Sequence, residues 1–175
     1  MPPALVGIPS PGLTVIKTFL EQHGYKVDIL YWNLIFNSFQ RDFFNFNKLV
    51  SEVELLNILP FNAYIAIKMD DEVLIDKIIS RILYEKPQYH IKGRDFLKEK
   101  LRSYALQIDD IFDNEIKLLD MDTYDLVGIS FQFYQWIPGN ILIDKIKELN
   151  NKLKVIIGGF GTKESTKESA HSYLY

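Results

Sequence analysis

Two segments, Tyr124-Asp-Leu-Val-Gly-Ile-Ser130 and Lys154-Val-Ile-Ile-Gly-Gly-Phe-Gly161, constrain this chain most. Each is a short apolar run without strict alternation, the pattern of a strand buried on two faces, and each ends in small or polar residues. Between them Pro138 to Leu149 carries Ile141, Leu142, Ile146 and Leu149 at helical spacing. The order strand, loop, helix, strand, glycine loop predicts a β-α-β crossover with parallel strands. Open sheets of this kind bind nucleotide-like ligands in the crevice where their strands end, so function is expected beyond Ser130 and beyond the second strand.

The N-terminal third extends this α/β expectation. Residues 10 to 24 predict a helix: Ser10 can cap, Pro11 suits the first helical position, and Gly24 suits a left-handed stop. Leu13, Ile16, Phe19 and Leu20 make its apolar stripe. Residues 26 to 32 then alternate Val27, Ile29 and Tyr31 with other side chains and predict a strand. Ahead of the helix only Ala4 to Ile8 is available, between Pro2-Pro3 and Pro9, which suits a loop or edge better than a central strand. The sheet is therefore expected to be incomplete, and its exposed edges predict a homodimer.

From Phe36 to Leu119 the period changes to that of helices, and 36–119 is read as a helical insertion between the second strand and the Tyr124 strand. Phe36, Phe39, Phe43, Phe46, Val50 and Val53 follow one another at spacings of three and four. Asp70-Asp71 precede a helix with Val73, Leu74, Ile78, Ile82 and Leu83 in its stripe, ending before Pro87. A long helix runs from Arg94 to Leu119, with Leu97, Leu101, Tyr104, Ile108, Ile111 and Ile116 on or near one face. The aromatic residues concentrated between Tyr31 and Phe46 are read as packing rather than as a ligand platform. All 175 residues are taken as a single domain.

Composition removes several function classes. A net charge of −3 with mixed lysines and glutamates implies neither nucleic acid nor an anionic membrane as a partner. With no cysteine, the chain has no thiol nucleophile, thiolate zinc site, iron–sulfur ligand or disulfide. No apolar run approaches the roughly 20 residues that span a bilayer, and no signal-peptide pattern opens the sequence, so a cytoplasmic location is the default. His23, His90 and His171 have no metal-ligand spacing, and no serine lies in a G-x-S-x-G elbow. No metal site and no catalytic residue is assigned.

Gly158-Gly159-Phe160-Gly161 follows a strand directly, where backbone can approach a ligand and the next helix can face an anion. It lacks the spacings of a dinucleotide fingerprint and of a phosphate-binding lysine loop, so ligand contact and a tight turn both remain readings of it. Ser130, Gln132 and Gln135 can hydrogen-bond an uncharged, amide-rich ligand, or satisfy their own loop. Asp109-Asp110-Ile-Phe-Asp113 spells D-D-x-x-D, a magnesium–diphosphate arrangement in isoprenoid synthases, but the second element such enzymes need is absent from the sequence. A solvated helix face is the preferred reading.

Those two segments, together with Pro9-Ser-Pro-Gly-Leu-Thr-Val-Ile-Lys-Thr-Phe-Leu-Glu-Gln-His-Gly-Tyr-Lys-Val-Asp-Ile-Leu, resemble the N-terminal cobalamin-binding domain of cobalamin-dependent radical S-adenosylmethionine enzymes. Gly128-Ile-Ser-Phe-Gln-Phe-Tyr-Gln-Trp136 looks most like the branch that matures ribosomally made peptides. The resemblance covers roughly residues 2 to 35 and 120 to 165. It implies a Rossmann-like, flavodoxin-like, mostly parallel sheet holding cobalamin at the C-terminal ends of its strands. Ser10, Pro11, Gly12 and Leu13 would line the first loop, Ser130, Phe131, Gln132 and Phe133 the second, and Gly158, Gly159, Phe160, Gly161 and Thr162 the third. The D-x-H-x-x-G motif that ligates cobalt elsewhere is absent, and two departures stand out: the C-x-x-x-C-x-x-C motif is absent, and the family's first strand, ahead of Pro2-Pro3, and the strand expected after Tyr175 are missing, so a truncated domain is expected. The resemblance thus implies that an iron–sulfur cluster and S-adenosylmethionine belong to a further C-terminal domain, and that this chain alone is not catalytic. The competing expectation is a non-catalytic flavodoxin-like protein-interaction or dimerisation domain.

Overall fold

The computed structural model describes residues 10–36, 59–85, 87–130 and 135–159. Most of the described chain is helical, with one small parallel sheet. Helix α1 (Pro11–Gln22) begins with proline in its first turn, after Ser10 in an extended conformation. The Ser10 hydroxyl makes no capping bond. At the other end Gly24 takes φ +85°, its N–H donates to Glu21 O at 3.1 Å and Tyr25 N–H donates to Leu20 O at 3.1 Å. This is a Schellman stop, and it needs a residue without Cβ strain at position 24. The apolar stripe of α1 is not used as expected. The helix buries none of its residues, leaving Ile16 55% and Phe19 58% exposed.

Residues 25–31 keep the alternating pattern, with Val27, Ile29 and Tyr31 half-buried and Asp28 and Leu30 exposed, yet form no strand. A strand needs a ladder partner as well as a pattern; among the described residues the tie to the sheet region is a side-chain bond, Tyr124 Oη donating to Asp28 Oδ2 at 3.0 Å. Trp32 opens a short helix instead, α2 (Trp32–Ile35), and is buried. Its ring lies 5.1 Å from Phe112, and Phe36 lies 5.0 Å from Phe112 and 5.8 Å from Phe61. These offset and edge contacts draw the chain towards the helices and away from the strands.

Three further helices build the core: α3 (Leu59–Lys68), α4 (Glu72–Glu85) and α5 (Gly93–Lys117), with a 3₁₀ turn at Pro87–Ile91. Helix α3 packs most extensively on α5 and buries Phe61, Ala63, Tyr64 and Ala66. Asp70, at φ +52°, ends α3 in a left-handed position. Asp71 then caps α4, its Oδ1 accepting the Leu74 N–H at 2.9 Å. The buried face of α4 is Ile75, Ile78, Ile79, Ile82 and Leu83; Val73 points to solvent, so the face is rotated from the expected one. Helix α5 buries Leu97, Leu101, Tyr104, Ala105, Ile108, Phe112 and Ile116, the expected stripe with Phe112 in place of Ile111. The expected helical character of 36–119 is therefore present wherever those residues are described. Phe39, Phe43, Phe46, Val50 and Val53 lie outside the described residues.

A 3₁₀ turn at Met121–Thr123 leads to β1 (Leu126–Ser130), which α6 (Trp136–Leu149) connects to β2 (Lys154–Gly158). The strands pair in parallel, Leu126 opposite Lys154 through Ser130 opposite Gly158, so the expected β-α-β crossover is present. Helix α6 buries Ile141, Leu142 and Ile146, while Leu149 is exposed. Asn150 stops it, its side-chain oxygen accepting the Lys152 and Leu153 amides at 3.1 and 3.2 Å. Ile129 is buried, and Val127 and Val155 pack on the core beside it. Among the described residues the other face has no cover, with Leu126 47% and Ile156 56% exposed, unlike parallel sheets covered on both sides. The class is α/β only in this small unit, a two-stranded sheet against a helical body.

Candidate functional site

Parallel pairing brings the ends of β1 and β2 together, and the register sets Ser130 directly against Gly158. Ser130 is half-buried and Gly158 is exposed. A Cβ built on Gly158 would meet nothing within 4 Å, so the backbone there is open to close approach. Gly159 has φ +121°, a conformation that glycine adopts without strain. These three positions form the described part of the expected second and third loops. Phe131, Gln132 and Phe133, and Phe160, Gly161 and Thr162, lie outside the described residues. Gln135 is buried at the entry to α6.

The first expected loop stands apart. Ser10 and Leu13 are half-buried and Pro11 and Gly12 exposed at the N-terminus of α1. The one neighbour within 4 Å of a Cβ on Gly12 is the Ser10 hydroxyl, at 3.9 Å. The structure thus brings together Ser130, Gly158 and Gly159, and α1 does not lie against them.

A second constellation was not foreseen. On α5, Asp109 accepts the Tyr64 hydroxyl at 2.8 Å and Lys145 Nζ at 3.0 Å on Oδ1, and Lys68 Nζ at 2.5 Å on Oδ2. Lys145 also reaches Asp113 Oδ1, at 2.5 Å. Helices α3, α5 and α6 are thereby joined through one carboxylate whose side chain is 15% exposed. The D-D-x-x-D run is not a solvated face at its first position, because Asp109 is enclosed by lysines from two neighbouring helices. Burial pushes the Tyr64 phenol well above its ordinary range, with the Asp109 hydrogen bond adding to it. Burial also pushes Asp109 up, but the bonds from Lys68, Tyr64 and Lys145 outweigh it and hold the carboxyl below its ordinary value. For Lys145, burial favours the neutral amine, and Asp113 and Asp109 more than reverse that. A phenol held protonated and two lysines matched by two carboxylates make a structural joint, with no activated base or nucleophile. Among the described residues no cluster of His, Asp or Glu side chains could hold a metal ion.

At the opposite, N-terminal end of the strands lies an open polar depression of about 540 Å³, lined by Asp122 and residues 147–152. Its polar groups bind one another: Lys147 Nζ donates to Leu153 O at 2.6 Å and Asn150 Nδ2 to Asp122 Oδ1 at 3.0 Å. Those bonds fasten the turn into β2. No helix among the described residues is long and apolar enough to cross a membrane. No protein-family model matches this chain, and no curated protein or solved structure does either.

Proposed function

We propose that this chain is a corrinoid-holding module, binding cobalamin at the C-terminal ends of β1 and β2, in the setting of a radical S-adenosylmethionine enzyme. The observation that carries the reading is the register of Ser130 against Gly158, a hydroxyl beside an open glycine backbone at the C-terminal end of a parallel pair. The family resemblance of residues 2 to 35 and 120 to 165 supports it. The fit is to the ligand's amide-rich periphery and nucleotide tail: Ser130 supplies a hydroxyl, and Gly158 leaves room for close passage. No histidine lies in 126–135 or 154–162, so none of the residues proposed here to hold the corrin would ligate its metal. When bound, cobalamin would supply methyl-transfer chemistry. The chain's own residues bind and orient it, and with no cysteine they hold no iron–sulfur cluster.

Reconstitution with hydroxocobalamin followed by desalting tests this reading. The wild-type chain should keep a corrin spectrum. Gly158→Leu extends a side chain into the passage and should weaken retention at least tenfold, about 1.4 kcal/mol. Ser130→Ala should weaken it less. A wild-type chain that emerges colourless refutes the proposal. The second reading, an interaction or dimerisation domain, draws on the open apolar face at Leu126 and Ile156; it expects self-association or partner binding that Gly158→Leu leaves intact.

A further inference from the structure

The outward face of α5 serves neither the core nor the strand ends, and Leu106 near its midpoint is 66% exposed. Around Leu106 the charged residues of that face fall at equal offsets in both directions: Arg102 and Asp110 four residues away, Glu99 and Asp113 seven, Asp95 and Lys117 eleven. Offsets of four, seven and eleven return to one side of an α-helix, so all of these residues share a face with Leu106. Two of the three offsets join opposite charges. We infer that α5 is a self-recognition surface, against which a second copy of the chain packs its own α5 antiparallel, with Leu106 on Leu106 at the two-fold axis.

A contact between identical copies requires a surface complementary to itself after a half-turn. In the antiparallel register centred on Leu106, Arg102 of one copy faces Asp110 of the other and Asp95 faces Lys117, each pair occurring twice. A parallel pair in the same register puts Arg102 on Arg102 and Asp110 on Asp110, so charge selects the antiparallel one. The groups are available: Asp95, Asp110 and Lys117 are exposed and form no ion pair or hydrogen bond with another described residue. Asp110 is the member of the D-D-x-x-D run that its own chain leaves unmatched, since Asp109 and Asp113 both hold Lys145. Arg102 directs Nη1 to Glu99 at 2.8 Å and leaves Nη2 3.8 Å from Glu72, outside hydrogen-bond distance, as the donor for a further carboxylate. The one like-charged pair is Glu99 opposite Asp113, and each already has a cation of its own chain, Arg102 and Lys145. Leu106 supplies the apolar contact at the centre. Twenty-five residues of helix extend ~37 Å, and one helix face of that length buries less than the ~1,000 Å² of a stable interface, so the dimer is weak, reversible and salt-sensitive. It does not depend on the corrinoid reading.

Sedimentation velocity of the full chain at ~0.5 mM in low-salt buffer should show a reversible dimer that dissociates when the ionic strength is raised to ~1 M, where the Debye length falls to ~3 Å. Arg102→Glu and Asp110→Arg should each weaken association at least tenfold, since each sets two like-charged pairs across the axis. Mixed in equal amounts, the two variants should recover it as a heterodimer, because the introduced glutamate then faces the introduced arginine and the remaining Arg102 faces the remaining Asp110. Recovery also shows that both variants fold. A second readout changes no charge. The chain has no native cysteine, so Leu106→Cys should oxidise to a disulfide-linked dimer. Asn114→Cys, whose two copies stand ~24 Å apart in this register, should do so at least tenfold more slowly. Ile156→Thr on the sheet should leave the dimer unchanged. A monomeric wild type, a mixture no more associated than its components, equal oxidation of the two cysteine variants, or loss of association in Ile156→Thr overturns the inference; the last places self-association on the sheet face of the interaction-domain reading.

Discussion

The helical body and the β-α-β unit of this chain satisfy their apolar residues to different degrees. In the body, Phe36, Phe61 and Phe112 interlock, and α4 and α5 direct whole stripes of side chains inward. Among the described residues, only one sheet face of the β-α-β unit is covered, and α1 buries none of its side chains. Burial is thus concentrated in the helices, and the strand ends proposed to bind a ligand belong to the less covered region. Regions that must admit a ligand are drawn from the less stable part of a fold, so the contrast agrees with a division between scaffold and site.

Truncating the body should cost most. Phe112→Ala removes a fully buried ring that touches two other aromatic side chains, and should lower unfolding stability by ~3–5 kcal/mol in urea titration. A loss under ~1 kcal/mol would contradict the assignment of the core to these helices.

Asp109→Asn should cost ~1–2 kcal/mol, because it weakens the acceptor shared by Tyr64, Lys68 and Lys145 at a partly exposed site. The same joint sets a pH window. Asp109 is held below its ordinary 3.8, so its contribution is complete above that value and is lost as pH falls through the lower folded pKa. Tyr64 is raised above its ordinary 10.0 and Lys145 above 10.5, so their contributions are complete below those values and are lost as pH rises through the higher folded ones. Urea midpoints of wild type minus Asp109→Asn should therefore be flat near neutral pH and shrink at both extremes. A difference that grows at acid pH would contradict the joint.

Asp70→Gly should act in the opposite direction, adding ~0.5–1 kcal/mol by relieving the left-handed backbone at the end of α3. Smallest of all, Ile156→Thr on the open sheet face should change global stability by less than ~0.5 kcal/mol. A loss as large as that of Phe112→Ala would erase the distinction between the two regions.

The parts legible in the sequence were those specified locally. Gly24 ended α1 as its left-handed stop, Asp71 capped α4, and the apolar runs 126–130 and 154–158 formed the paired strands. Helix α3 fell inside the segment read as helical, but its bounds and buried face were not legible, because Phe61, Ala63, Tyr64, Ile65, Ala66 and Ile67 surround it with apolar side chains and leave no stripe to read. Residues 26–32 carried a strand's alternation, but pairing is a property of a neighbour that the segment itself does not encode. At the candidate site, the common end of the two strands followed from their order. The Tyr64–Asp109–Lys145 joint did not, since its members come from three helices far apart in sequence and no short motif links them.

Amide hydrogen exchange of the whole chain, with and without hydroxocobalamin, tests the division between scaffold and site most directly. The account predicts that amides of α5 exchange slowly in both conditions, and that β1 and β2 exchange faster without ligand and gain protection when it is added. Exchange in β1 and β2 that is as slow as in α5 without ligand, or that does not change on its addition, would contradict it.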